Sequence, residues 1–532
     1  MRLSLLVLVL LPLSAFGGSL GPEDHMWSWV TSEAADAPTL SVIGGTDRHT
    51  YRAPDASAST ESEAAAPADL LERMRQGFTL PIEAHARTDA QRNWYVRHPE
   101  YLNRVFDRSR PYLHFIVSEI ERRGMPLELA LLPIVESAFD PFAYSHGRAA
   151  GLWQIIPGTG RRFGLSQNWW YDGRRDVLAS TRAALDYLEF LAKRYDGDYE
   201  LAVAAYNSGE GTVDRAIRRN RKAGKPTTFW DLKLPRETSS YVPKLLALAD
   251  IVGRPSRFEL SLPVIQDERQ LAVVETGGQI DLALAAELAA IDIDALYRLN
   301  PGYNQWATAP DGPHTLVVPA TQEMQFLTAL DALPDDQRMR WQRHKIREGQ
   351  SLSEIAEQYN VTVKTLQQTN QLSGTMIRAG QHLLVPTASA PRDSYALSAS
   401  ARLSRQQNRT REGVRVEHRV KPGESFWTIA KQYSVGTREL AKWNNMAPRD
   451  TLAVGKKLVI WTKKPGGSPV ASSTTTRKLY YTVRNGDSLA RIASRFRVRV
   501  KDLVQWNNLD IDRYLRPGQK LTMFVDVTRQ SS

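Results

Sequence analysis

Between residues 85 and 255 apolar side chains return at intervals of three and four, the spacing that gathers them on one face of a helix. Pro111 to Ile120, Pro126 to Phe139, Thr181 to Tyr195 and Leu201 to Asn207 carry the pattern most clearly and predict an all-helical block. Pro126 suits a first helical turn, where its missing N–H is not needed, and Asp140-Pro141 predicts the end of the same helix. Residues 19–84 are rich in Ala, Ser, Thr, Asp and Pro with little periodicity, which predicts a flexible lead-in.

The C-terminal half is repetitive. Residues 344–386, 417–461 and 479–527 share a β-rich start, a Gly turn at Gly349, Gly423 or Gly486, a Ser placed to cap a helix, two short helices and a returning strand. This predicts three βααβ modules. Ile355, Ala356 and Tyr359, like Ile429, Ala430 and Tyr433, recur at helix spacing and read as core. Asn370, Asn444, Asn445, Asn507 and Asn508 recur at the end of the second helix, where a helix-terminating turn competes with a binding role. The intervening 387–416 and 462–478, rich in Ser, Thr, Arg, Gly and Pro, predict flexible tethers. Residues 256–335 form a connecting domain, within which 274–319 read as a worn copy of the repeat.

A chain of 532 residues exceeds what one core serves, so several domains follow. Met1-Arg2, the apolar run Leu3 to Leu13 and the small residues that follow predict a signal peptide over 1–18 and export to the periplasm. That run is short for a bilayer crossing, and no membrane span is expected after processing. The absence of cysteine excludes disulfides, thiol catalysis, a cysteine-based zinc site and a lipid attachment point. The net charge of +11 calls for an anionic partner or a solvated surface; export argues against nucleic acid and for an envelope polymer.

The candidate chemistry lies at Glu136. Leu131, Leu132, Ile134 and Val135 precede it, and a carboxyl among such neighbours loses hydration of its charged form, stays protonated near neutrality and can give its proton to a leaving oxygen. A lone glutamate of this kind is more often a helix cap or ion-pair partner. Here Glu136-Ser137-Ala138-Phe139-Asp140-Pro141, Ser145, Gly151-Leu152-Trp153-Gln154, the Pro-Gly-Thr turn at 157–159, Ala205-Tyr206-Asn207-Ser208-Gly209-Glu210-Gly211 and Glu237-Thr238 with Tyr241-Val242 follow in one order. In that order they resemble the soluble lytic transglycosylase catalytic domain, a lysozyme-like helical fold that cuts peptidoglycan. The repeats resemble lysin motifs, and the whole architecture is similar to the murein transglycosylase D group. Two departures stand out: the lipid-bearing N-terminal cysteine of membrane-bound members is missing, and Ser239 stands where the motif often has arginine.

The resemblance implies a multidomain chain, an all-α lysozyme-like catalytic domain over 85–255 followed by α+β lysin-motif modules, with no metal or organic cofactor. Glu136 would protonate the oxygen between N-acetylmuramic acid and N-acetylglucosamine, then take the proton of the muramoyl 6-hydroxyl as that oxygen closes on the anomeric carbon, giving a 1,6-anhydro end. Ordinary glycosidases use two carboxylates. Ser145, Gln154, Tyr206, Asn207, Glu237 and Tyr241 would line the substrate, with Tyr206 expected to orient the carboxyl or the sugar. Glu237 reads equally as a structural acid paired with an arginine. The lysin-motif resemblance implies glycan contacts at Gly349, Gly423, Glu424, Gly486, Asp487, Asn370, Asn444 and Asn507. Asp140 as a second carboxylate would make a water-using lysozyme the alternative enzyme, and a non-catalytic wall-binding scaffold is the alternative from another class.

Overall fold

The computed structural model describes residues 69–462 and 476–526, apart from 485, 497, 499, 508 and 510–514. The signal peptide expected over 1–18 lies outside the described residues, as does most of the lead-in. The chain divides into two compact units, one running through Arg409 together with Asn444–Ala447, the other comprising the remainder from Thr410.

The first unit opens with helices α1 (Leu70–Gln76), α2 (Ala86–Val96), α3 (Pro99–Arg122), α4 (Leu132–Ser137), α5 (Pro157–Arg162), α6 (Val177–Arg194), α7 (Tyr199–Ser208), α8 (Glu210–Lys222) and α9 (Arg236–Gly253). Two expectations are corrected. The lead-in gives way at Asp69, whose carboxylate caps α1 through the Leu71 amide, and Leu70, Leu71 and Met74 are fully buried in the helical core. One short turn of apolar residues was too little to rise above the Ala- and Ser-rich background. The helix expected to begin at Pro111 begins at Pro99 and runs through Pro111. A proline inside a helix costs about 3 kcal/mol. Burying Leu113, Ile116, Val117 and Ile120 along the same face offsets this with about 6 kcal/mol or more.

α7 lies in the middle of the block because Leu201, Ala202, Val203, Ala204 and Ala205 are buried on all sides, and small side chains let neighbouring helices approach it closely. α9 buries Tyr241, Val242, Leu245, Leu246 and Leu248 and faces both α4 and α7. These helices present the motif residues to one another.

Strands β1 (Leu271–Glu275) and β2 (Thr315–Pro319) pair antiparallel from Leu271↔Pro319 to Glu275↔Thr315, with α10 (Leu282–Leu288) and α11 (Ile293–Leu299) between them, and α12 (Glu323–Asp331) follows. The first repeat pairs β3 (Arg340–Lys345) with β4 (His382–Thr387) around α13 (Leu352–Tyr359) and α14 (Val363–Thr369). Its buried Ile346, Leu352, Ile355, Leu366 and Val385 join one core with Ala272, Leu282, Leu296 and Phe326 of the preceding domain. Gln368 Nε2 also donates to Asp311 at 3.0 Å. The first repeat is therefore packed onto its neighbour.

The expected tether 387–416 is corrected over its first two thirds. Tyr395, 3% exposed, donates its hydroxyl to the Asp281 carboxylate at 2.9 Å, and α15 (Ala399–Asn408) follows, capped by Ser398. Composition suggested a coil, but one buried Tyr and one capping Ser suffice to dock the segment.

In the second unit each repeat is described by itself. One pairs β5 (Val414–Arg419) with β6 (Lys457–Thr462) around α16 (Phe426–Gln432) and α17 (Thr437–Trp443). The other pairs β7 (Thr476–Thr482) with β8 (Lys520–Asp526) around α18 (Leu489–Arg495) and α19 (Val500–Asn507). The expected tether 462–478 lies mostly outside the described residues, its ends already belonging to β6 and β7. Among the described residues no helix is long and apolar enough to cross a membrane.

Candidate active site

α4 ends at its own chemistry. Glu136 and Ser137 are its last residues, and Ala138 and Phe139 both adopt left-handed backbone, φ 50° and 56°. Neither is glycine, so this turn stores strain of about 1–2 kcal/mol per residue. It is held by the Ala138 and Phe139 amides donating to the Ile134 and Pro133 carbonyls, and by Phe139 being buried. The Ser137 hydroxyl donates to the Leu152 carbonyl at 2.8 Å, tying the end of α4 to the Gly151–Gln154 turn.

That turn is fastened on two further sides. Trp153, fully buried, donates its indole N–H to Thr181 on α6 at 2.9 Å, and the Tyr206 hydroxyl on α7 donates to the Trp153 carbonyl at 2.7 Å. Gly151 has φ 79°, and a Cβ there would stand 2.1 Å from the Arg174 carbonyl oxygen, so only glycine fits. Gln154 also has positive φ, 46°; its amide donates to the Gly151 carbonyl at 2.8 Å, while its buried Oε1 has no protein partner.

Glu136 is half-buried, and its Oε1 accepts a short hydrogen bond from the Tyr241 hydroxyl. Burial pushes its carboxyl up to about 8; the Tyr241 bond opposes this, Glu237 adds to it and Lys244 opposes it. Glu237, Tyr241 and Lys244 stand at i, i+4 and i+7 of α9, one stripe of the helix. Burial also raises Glu237, against an Asn207 hydrogen bond and Lys244, and lowers Lys244, against both carboxylates. Asn207 Oδ1 accepts from the Thr238 hydroxyl at 2.8 Å, so it joins α7 to α9. Next to Glu136, burial drives the Tyr206 and Tyr241 hydroxyls well above the usual phenol range, so both remain protonated donors.

Glu136, Gln154, Tyr206, Asn207, Glu237 and Tyr241 thus converge on α4, its following turn, α7 and α9. Three expectations change. The hydroxyl that reaches Glu136 is Tyr241, while Tyr206 is committed to the Trp153 carbonyl. Asp140 is not a second carboxylate for Glu136: its Oδ1 accepts from the Phe142 amide at 2.9 Å, and its charge is felt with those of Arg108, Arg402 and Arg175. Glu237 is paired with Asn207 rather than with an arginine. Ser145 accepts from the Ala149 amide at 3.0 Å and closes the loop between α4 and Gly151. Lys244 was missed; its position one turn beyond Tyr241 was the available signal.

In the repeats the polar residues expected to meet glycan also fasten the module. Asn370 donates to the Leu366 and Leu384 carbonyls at 2.9 and 2.8 Å and accepts from the Leu384 amide at 2.7 Å. Asn507 makes the same clamp with Leu503 and Thr522, and Asn300 makes it with Leu296 and Val317 in the worn copy. Asn444, at the matching position, is 1% exposed. Glu424 accepts from the Lys421 amide and pairs with His418, both at 2.7 Å; Asp487 accepts from the Arg484 amide and the Tyr481 hydroxyl at 2.8 and 2.6 Å. Gln350 locks the first repeat's turn in the same way. Gly349, Gly423 and Gly486 have φ of 79°, 82° and 85°, which is why the turn uses glycine. Asn508 lies outside the described residues.

Among the described residues no group of three or more His, Cys, Asp or Glu is arranged to hold a metal ion.

Comparison with known families matches the Transglycosylase SLT domain to residues 115–229 and the LysM domain to 344–386, 418–461 and 481–524. The family described as Lytic transglycosylase MltD, LysM-like domain, matches 270–335. Membrane-bound lytic murein transglycosylase D of Escherichia coli is 38% identical over 400 residues, 73% of this chain and 85% of that one. An autolysin of Enterococcus faecalis is 33% identical over 189 residues, 34% of this chain and 24% of that one.

Proposed function

This chain belongs to the lytic murein transglycosylase D family, peptidoglycan lytic transglycosylases bearing LysM modules, and we propose that Glu136 is the one group that serves it as both acid and base. The observation that carries this reading is a carboxyl held by Tyr241 and raised by burial to about 8, so that it is largely protonated at neutral pH. With Oε1 occupied by the Tyr241 hydroxyl, Oε2 carries the proton. It passes to the bridging oxygen as the bond to the muramoyl anomeric carbon breaks through an oxocarbenium-like state. The carboxylate then takes the 6-hydroxyl proton while that oxygen bonds to the same carbon. Because the nucleophile already belongs to the substrate, proximity replaces a bound water.

Gln154 offers its unpartnered Oε1 to a sugar hydroxyl or acetamido N–H, and Ser145 and Tyr206 shape the walls of the subsite. Asn207 and Glu237 set the α7–α9 side, and the Lys244 ammonium offsets charge when Glu136 is ionised. A glycan strand lies beside the turns at Gly349, Gly423 and Gly486 in the modules, and weak sites on one polymer raise effective concentration. The place of action is the periplasmic face of the envelope, reached by the leader read in residues 1–18.

The test is digestion of purified sacculi by the full chain and by Glu136→Gln. The reading expects 1,6-anhydro muropeptides from the first and none above background from the second. Undiminished product from the variant would remove Glu136 from the mechanism.

A further inference from the structure

The loop from Phe139 to Ala150 joins Glu136 to the Gly151–Gln154 turn, and its inner side is set by hydrogen bonds of Phe142 and Ala143 to Asp140 and of Gly151 to the Ala143 carbonyl. Its outer side is covered from far along the chain. The Arg402 guanidinium, on α15, stands 4.5 Å from the centre of the Phe142 ring. Arg402 is itself fixed by donating to the Leu397 carbonyl at 2.6 Å.

The segment carrying Arg402 is fastened before it arrives. The Ser389 amide and the Tyr395 hydroxyl both donate to Asp281, at 2.9 Å each, and the Ala399 amide donates to the Asn304 carbonyl at 2.8 Å. Asn304 faces the catalytic block as well: its amide donates to the Trp170 carbonyl at 2.8 Å, and its side chain accepts from Arg175 at 3.3 Å. One rigid path therefore leads from the first LysM module, through the worn copy, to the loop beside the acid.

Electrostatics favour this contact over an accidental one. Asp140, two residues before Phe142, attracts Arg402 together with Arg108 and Arg175. Burial, and then the like charge of Arg175, push the Arg402 guanidinium down to about 9, against Tyr297, Asp140 and Asp172. A cation over an aromatic face is attracted by the ring's electron-rich faces, which ties the Arg402 guanidinium to the Phe142 ring.

We infer that Arg402 is a positioning residue for the transglycosylase reaction, a side chain outside the catalytic domain that holds the Phe142 loop in the geometry Glu136 requires. The inference rests on the acid–base reading of Glu136. It makes the 388–408 segment a working part of the catalytic unit, and it predicts that displacing the segment lowers turnover without weakening the hold on the wall.

The experiment compares full-length wild type, Glu136→Gln, Arg402→Ala, Arg402→Lys and Tyr395→Phe on a soluble peptidoglycan glycan oligomer, with kcat and KM separated. Binding to sacculi and the thermal midpoint are measured in parallel. Arg402→Ala is expected to lose about tenfold in kcat with KM within about twofold, since small misplacements of a reacting group carry costs of this size. Arg402→Lys should recover part of the loss, and Tyr395→Phe, which loosens the segment and leaves Arg402 intact, should lose about threefold. Sacculus binding should not change. Should Arg402→Ala fail to fold, Tyr395→Phe decides. Unchanged kcat in the folded variants, with Glu136→Gln inactive, overturns the inference alone. A lowered thermal midpoint with normal kcat per folded molecule does the same. Activity in Glu136→Gln overturns the acid reading instead.

Discussion

The catalytic cleft and the LysM modules treat polar side chains in opposite ways. In the cleft Gln154 Oε1 is buried without a partner, Glu136 is raised to about 8, and Ala138 and Phe139 hold left-handed backbone. In the modules Asn370 and Asn507 make three hydrogen bonds apiece to their own strand and helix, and Glu424 and Asp487 close the turns they stand in. Polar groups left unsatisfied cost stability and are available to a ligand, whereas fully satisfied ones hold a fold. A polar residue that recurs in every copy of a repeat is therefore read first as a fastening, and one that occurs once in a strained turn as chemistry.

Glu136→Gln breaks the comparison hardest. Loss of the acid should lower kcat on sacculi by about 10²–10⁴-fold, measured by muropeptide release. Its stability should move the other way. A carboxyl raised from 4.5 to about 8 by folding favours the folded state at low pH and loses that contribution between about pH 4.5 and 8. Above pH 8 the glutamine variant should therefore be more stable than wild type, by about 1–2 kcal/mol after discounting for the solvent that reaches the cleft, and the gain should vanish toward pH 4 in thermal melts.

Asn370→Ala and Asn507→Ala are next. Each leaves the amides and carbonyls of a clamp unpaired and should destabilise its own module by about 1–3 kcal/mol, read by hydrogen exchange of that module's strands. If these residues touched glycan instead, sacculus binding would fall with exchange unchanged. Tyr241→Phe should cost about tenfold in kcat by releasing the carboxyl. Because the tyrosine bond holds the carboxyl down against burial, its loss should also move the alkaline limb of the pH–rate profile upward. Glu424→Gln should be nearly silent, within about 0.5 kcal/mol, because Gln350 already does this task in the first repeat.

Much of this was legible in the sequence because motif order is a strong constraint. Glu136, Gln154, Tyr206, Asn207 and Tyr241 stood in motif order, with Glu136, Tyr206 and Asn207 on segments of helical periodicity, and the βααβ grammar of the repeats followed from the Gly turn, the capping Ser and the apolar spacing. What was not legible depends on contacts distant in the chain. That Tyr241 rather than Tyr206 reaches Glu136 is decided by how α9 packs on α4, 105 residues away. α1 and the Tyr395 segment join cores through a few buried residues each, below the level at which composition gives a signal. The roles of Asn370 and Asn507 depend on a strand 14 or 15 residues downstream presenting its backbone to them.

The most direct test of a single carboxyl acting as acid and base is the mass of muropeptides released in isotopically labelled water, by wild type and by Glu136→Gln. The account predicts ends lighter by one water and free of label from the wild type, and none above background from the variant. Labelled reducing ends from the wild type, or anhydro ends from the variant at wild-type rate, would contradict it.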